Sequence, residues 1–163
     1  MRPPWGLGGV LQVEADLVEY LASSLKEADL ERVGLQLGDP AGQQVWESRG
    51  VLAALRLWAS RWQNRRVRRT VIGDSIAMHT TVLHMKADSQ NLGLIAREGV
   101  LDTAESAFEP DIGVHIPGIA NDLADALSRK TAPTQTMWRL PSPLRHAKVV
   151  FAPLRDDLFY RTL

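Results

Sequence analysis

Residues 115–129 place one histidine and two aspartates within a short stretch of the chain. His115 is followed by a Pro-Gly turn, and Asn121 then starts a predicted helix that carries Asp122 and Asp125 near its beginning. Carboxylates and an imidazole are the groups that proton transfer and metal binding require. Because the chain has no cysteine, a metal site would use oxygen and imidazole ligands, which favours hard ions such as magnesium or manganese.

The helix dipole explains the presence of one of these two aspartates better than that of the other. Asp122 occupies the first helical position, where the helix dipole favours an acidic side chain without any function. Asp125 lies almost a turn further along and gains less from the dipole. The sequence therefore indicates Asp125 as the stronger candidate for chemistry.

A further carboxylate, Glu47, is expected on the apolar side of a helix over 43–62. The apolar positions on that side are Val51, Ala54, Leu55, Trp58 and Trp62. An unpaired carboxylate is costly to bury, so Glu47 should have a partner, a proton or a metal ion. An ion pair with Arg49 or Arg66 at the rim of the apolar face is an equally good explanation.

Asp74 directly follows a predicted strand over 66–73, at the end where open α/β sheets place ligand-contacting residues. The alternative is that Asp74 only caps the next helix, predicted over 76–86, and the pattern favours this alternative because aspartate is a common N-cap residue. Ser75 is also a possible cap for that helix.

These residues are positioned by a predicted mixed α/β fold, in which helices flank a mixed sheet. Strands 5–13 and 17–22 form a hairpin, and the glycines of the first strand allow another element to approach its backbone closely. Residues 23–38 are expected to be loop with one helical turn around Glu27 to Arg32. Further elements are predicted, namely a helix over 91–108, a strand over 111–116 and a helix over 122–129.

The composition indicates one domain inside the cell, cytoplasmic or nuclear. Of 163 residues, 45% are hydrophobic and 23% charged, and the sequence shows neither an apolar run long enough to span a membrane nor a signal peptide, so no membrane association is expected. The domain is expected to span residues 1–130. Four prolines between 133 and 153 predict an extended tail or linker over 131–163.

A net charge of zero gives the chain no global attraction for a polyanion, but cations are concentrated locally. Five arginines occupy positions 61–69, and we take Arg65, Arg66 and Arg68 as candidates for phosphate contacts. Cations also keep strand edges soluble, so a solvated strand edge explains these arginines at least as well.

The order of these motifs resembles that of the ribonuclease H domain of retrotransposon reverse transcriptases over about residues 4–129. The strongest similarity lies in 115–129, where nine positions fit the family's His-x-Pro-Gly-x-x-Asn-x-x-Ala-Asp-x-Leu-Ser-Arg pattern. Pro4-Trp5-Gly6, Trp46-Glu47 and Gly73-Asp74-Ser75 are similar to three further family motifs and follow in the family's order.

The resemblance implies a ribonuclease H-like fold and hydrolysis of the RNA strand of RNA–DNA hybrids with two Mg²⁺ or Mn²⁺ ions. It assigns Glu47, Asp74 and Asp125 as metal ligands and His115 as a mobile catalytic histidine, and we also take Asn121 as a candidate nucleic-acid contact. A reverse transcriptase domain would be the partner within a polyprotein.

The chain departs from the family at the first catalytic aspartate, whose position is occupied by Met1. The two-metal site is therefore expected to be incomplete, and cleavage slow or absent. The chain would then be either a fragment truncated at this aspartate or a retained inactive domain. A non-catalytic nucleic-acid-binding or scaffold domain of the same fold is the alternative function.

Overall fold

The computed structural model of the chain describes residues 5–37, 39–62, 68–84, 86–87, 89–105, 112–115, 121–156 and 158–161. Within these residues the strands are β1 (Gly6–Val13), β2 (Asp16–Ser24), β3 (Thr70–Gly73), β4 (Ile112–His115) and β5 (Lys148–Val150). The helices are α1 (Glu27–Val33), α2 (Gln43–Leu57), α3 (Ile76–Leu83), α4 (Gln90–Glu105) and α5 (Asp122–Ser128). None of the described helices is long and apolar enough to cross a membrane.

The strands form two sheets, which confirms the predicted mixed α/β class. One sheet has the order β1-β2-β5, with β1 and β2 antiparallel and β2 and β5 parallel. The other consists of β3 and β4, which run parallel, so that Gly73 lies opposite His115. The carboxyl end of β3, where Asp74 follows, is therefore beside the end of β4.

The predicted hairpin is confirmed, and so is the helical turn predicted around Glu27 to Arg32, but both regular elements extend further than predicted. β2 continues to Ser24, and Glu27–Val33 form α1. The carboxylate of Asp29 accepts a hydrogen bond from the Lys26 backbone N–H at 2.9 Å, which satisfies a donor at the start of this helix. Gly34, at φ 64°, ends it in the left-handed conformation that favours glycine.

The glycines of β1 allow α5 to lie directly on the strand, as the sequence predicts for an unspecified element. A Cβ atom on Gly8 would lie 2.2 Å from the carbonyl oxygen of Ala124, and one on Gly6 would lie 2.8 Å from that of Ser128. These distances are far below van der Waals contact. The glycines therefore fix the position of the helix that carries Asp125.

The apolar face predicted for α2 is only partly correct: Trp58 is buried in the core, and Val51, Ala54, Leu55 and Trp62 pack against it without being fully buried. The fully buried positions of the helix include Trp46, Arg49, Leu52 and Ala53. The helix is covered on several sides, because α3, α4 and β1 all contact it. A helix buried on several sides has no single apolar stripe from which its orientation could be predicted.

The apolar residues of α4 differ in how deeply they are buried. Leu94 is buried, but Ala104 is exposed, Leu101 is partly buried and Phe108 lies outside the described residues. Ile95, at 1% exposure, is instead the most buried apolar side chain of the helix.

The C-terminal residues 155–161, which we call the C-terminal anchor, contribute to the main core. Phe159 and Tyr160 are buried in the same apolar cluster as Leu7, Leu21 and Trp46. The division into residues 1–130 and a tail over 131–163 stays a prediction.

Candidate functional site at the carboxylate end

Asp74 lies immediately after β3 and does not cap the helix that follows. The hydroxyl of Ser75 accepts the hydrogen bond from the Met78 backbone N–H at 3.1 Å, so Ser75 is the N-cap of α3. The interpretation of Asp74 as a simple helix cap is therefore wrong. Its carboxylate is available for the contacts described next.

Asn121 connects Asp74 to the helix that carries Asp125. The Asn121 side-chain amide donates to Asp74 Oδ1 at 3.0 Å, between residues 47 positions apart. Asn121 is the N-cap position of α5, as predicted, but its side chain makes no capping hydrogen bond. The amide instead joins the end of β3 to the start of α5.

Glu47 lies close enough to Asp74 for the two carboxylates to influence each other. Burial raises the pKa of Glu47 above its ordinary 4.5, and the negative charge of Asp74 raises it further. Hydrogen bonds from Gln43 and Ser75 act in the opposite direction, and Gln43 Nε2 donates to Glu47 Oε1 at 2.8 Å. The proposed partner Arg49 is wrong, since Arg49 binds Asp29; Arg66 lies outside the described residues.

We use the term carboxylate end for Glu47, Asp74, Asn121 and Asp125. Asp125 lies on α5, one turn after Asn121, and its side chain is 42% exposed. It forms an ion pair with Arg129, four residues along the helix. His115 belongs to β4, and its backbone lies opposite Gly73, directly before Asp74.

The described side chains of the carboxylate end are not grouped as a metal site. Over the part of the chain that the structure describes, there is no group of three or more histidine and acidic side chains that could hold a metal ion. Glu47 and Asp74 are near each other, but Asp125 is engaged by Arg129. The described side chains therefore do not fit the two metal ions that the resemblance implies.

The candidate nucleic-acid contacts are described only in part. Arg65 and Arg66 lie outside the described residues, whereas Arg68 is exposed just before β3. Nearby, Arg69 stacks on the Trp62 ring at 5.1 Å, and Arg61 binds Glu19. A role of these arginines in binding phosphates stays a prediction.

Gln43 and Ser75 belong to the site but were not among its predicted members. Gln43 precedes Glu47 by four residues on a helix, a spacing at which side chains contact each other, so this partner had a signal in the sequence. The contact of Ser75 with Glu47 depends on how α2 packs against α3, for which local sequence gives no signal.

Comparisons of the chain with models of known families, with curated proteins and with solved structures find no match.

Proposed function

We propose that the chain is the ribonuclease H-like domain of a retroelement polyprotein and that it binds RNA–DNA hybrids and hydrolyses their RNA strand slowly. The contact between Asn121 and Asp74 carries the proposal. It joins two motifs that the resemblance assigns to one site, although they are far apart in sequence. The proximity of Glu47 to Asp74 adds a third motif at the same place.

We expect binding of the hybrid to be stronger evidence of function than cleavage of its RNA strand, because the described carboxylates are not grouped as a metal site. The resemblance implies Mg²⁺ or Mn²⁺, which would activate water and stabilise the leaving oxygen. Met1 stands where the first ligand is expected, and Arg129 neutralises Asp125. What this chain's residues supply is a pair of carboxylates, held by Asn121, Gln43 and Ser75, at the junction of β3, α2 and α5.

A non-catalytic nucleic-acid-binding or scaffold domain of the same fold is the second candidate. The ion pair between Asp125 and Arg129 favours it, because a carboxylate neutralised within its own helix is a poorer metal ligand. Slow metal-dependent cleavage belongs to the first candidate alone, and its absence favours the second, which binds nucleic acid without cleaving it or acts as a scaffold. The Asn121–Asp74 contact would then only stabilise the junction.

The test measures binding and cleavage separately. A fluorescently labelled RNA–DNA hybrid is titrated with the protein, and its RNA strand is then followed by gel electrophoresis with Mg²⁺ or Mn²⁺ present. We expect binding that weakens as salt rises, together with slow cleavage. Any cleavage should be lost in Asp74→Asn and kept in the control Asp122→Asn, which changes an exposed carboxylate at the start of α5.

The outcomes separate the candidates. Cleavage that survives Asp74→Asn would come from a contaminating nuclease and would remove the catalytic proposal. If the missing aspartate is the cause of weak activity, Met1→Asp with a few residues added before it should increase metal-dependent cleavage. Failure to bind the hybrid in preference to double-stranded DNA would contradict the first candidate, and failure to bind either duplex would leave only the scaffold role.

A further inference from the structure

Arg49 of α2 is fully buried, but only part of its guanidinium group has a partner among the described residues. Nη1 donates to the backbone carbonyl of Asp29 at 3.0 Å and lies 3.4 Å from Asp29 Oδ1. Within the described part of the chain, Nε and Nη2 have no hydrogen-bond acceptor. These two nitrogens form one edge of the planar group, a fork that binds two acceptor atoms side by side. Because buried donors without an acceptor are costly, this edge indicates a ligand.

Asp29 does not neutralise both of the arginines that it contacts. Arg155 binds both of its oxygens, with Nε 2.9 Å from Oδ1 and Nη2 3.0 Å from Oδ2. The backbone N–H of Lys26 also donates to Oδ2, at 2.9 Å. One carboxylate therefore faces two guanidinium groups, which leaves an excess of one positive charge. Asp29 and Arg49 are at most 1% exposed, so water does not screen this charge well.

The phenol of Tyr160 supplies a third donor beside this guanidinium group. Tyr160 is 2% exposed, and its hydroxyl has no hydrogen-bond partner among the described residues. Burial raises the pKa of Tyr160 to about 12, so the hydroxyl keeps its proton at neutral pH. The largest opposing effect on this pKa is the positive charge of Arg49, which indicates that the hydroxyl and the guanidinium group are near each other.

The aromatic rings around Arg49 do not replace an acceptor. Arg49 Cζ lies 4.9 Å from the centre of the Trp46 ring and 5.1 Å from that of the Tyr160 ring. The attraction between a cation and a ring face is weaker than the cost of removing the cation from water. The rings therefore offset only part of the charge, and the Tyr160 hydroxyl gains nothing from them.

We propose that Arg49 and Tyr160, which we call the Arg49 site, bind a small monovalent anion that joins the C-terminal anchor to α2. The anion accepts hydrogen bonds from Nε, Nη2 and the Tyr160 hydroxyl, and it offsets the excess positive charge. Because both side chains are almost fully buried, the ion must be small, as chloride and nitrate are. The site contains no residue of the carboxylate end, so the proposal does not depend on the ribonuclease H-type function.

The experiment measures the thermal midpoint of the full chain as sodium chloride replaces sodium gluconate at constant ionic strength. Gluconate is too large for a buried site and serves as the reference anion. An ion that binds only the folded state should raise the midpoint by about 3–5 °C for each tenfold increase in its concentration above Kd. We expect this rise with chloride in the unchanged chain.

Variants test whether the rise comes from the Arg49 site. Tyr160→Phe removes one donor and keeps the ring, so the rise should require about tenfold more chloride. The matched control Tyr20→Phe removes the hydroxyl of a partly buried tyrosine on β2 and should leave the chloride dependence unchanged. Arg49→Met removes both the fork and the charge, and the midpoint of the folded variant should not respond to chloride.

Bromide locates the ion directly. In crystals of the full chain grown with bromide, an anomalous peak should lie within hydrogen-bond distance of Nε and Nη2 of Arg49. An equal midpoint in chloride and gluconate would overturn the proposal and leave water as the partner of these donors. A chloride dependence that Tyr160→Phe leaves unchanged, or a bromide peak only at other residues, would also overturn it, because the ion would then bind elsewhere.

Discussion

Glu47 and Asp29 are both carboxylates with restricted access to solvent, but their surroundings have opposite charge. Asp29 is 1% exposed and binds two arginines, with Arg155 Nε at 2.9 Å and Arg49 Nη1 at 3.4 Å. Glu47 has the amide of Gln43 and the carboxylate of Asp74 beside it. Burial and Asp74 raise the pKa of Glu47, so its charged form is disfavoured where it lies.

The same contrast extends to the rest of the two regions. At the C-terminal anchor, Arg161 and Arg56 neutralise Glu98, which is fully buried, and Asp102. Arg49 also stacks on Tyr160 at 5.1 Å, and burial raises the pKa of Tyr160 to about 12. Charges at the anchor are paired with opposite charges and hold the chain together. At the carboxylate end, burial and Asp74 raise the pKa of Glu47, and perturbed pKa values of this kind are typical of functional sites.

The first test of this contrast removes the paired carboxylate. Asp29→Ala leaves Arg49 buried with its charge uncompensated and also removes the partner of Arg155. Breaking a buried ion pair in this way costs about 3–5 kcal/mol. Urea denaturation should show this loss in the free energy of unfolding, while Glu31→Ala, which removes an exposed carboxylate of the same helix, should change it little. A loss no larger than that of the control would mean that the anchor does not depend on this pair.

The second test concerns the packing of α5 against β1, which positions the start of α5 at the carboxylate end. A Cβ on Gly8 would meet the backbone of α5 at 2.2 Å, so Gly8→Ala must displace the helix that begins at Asn121. Overpacking against backbone should lower the free energy of unfolding by on the order of 3 kcal/mol.

The matched control is Gly93→Ala in α4, where an added Cβ has nothing within 4 Å. There the better helix propensity of alanine should stabilise the protein by up to about 1 kcal/mol. Equal thermal midpoints for the two variants would contradict the direct seating of α5 on β1.

The sequence predicts the elements better than it predicts their contacts. Strands β1 and β2, the helix after Asp74 and the helix after Asn121 all lie close to their predicted positions, because periodicity, turns and caps are local signals. The contacts of Glu47 with Asp74 and Ser75, and the hydrogen bond from Asn121 to Asp74, join residues that are distant in sequence. The ion pairs of the C-terminal anchor also join distant segments, and Arg155 lies 126 residues from Asp29.

The last test, which has the smallest expected effect, asks whether the charged form of Glu47 is disfavoured in the folded protein. Because its pKa is higher in the folded protein than the ordinary 4.5, the folded state binds its proton more readily than the unfolded state. The contribution of Glu47 to stability is therefore complete below pH 4.5 and is lost as the pH rises through the raised pKa. Glu47→Gln keeps the shape without the charge, so its free energy of unfolding relative to that of the unchanged protein should increase from pH 4.5 to pH 8. Urea denaturation across this range measures the difference, with Glu31→Gln as the exposed control. A difference that does not change with pH would show that Glu47 is as well compensated as Asp29, and the contrast between the two regions would fail.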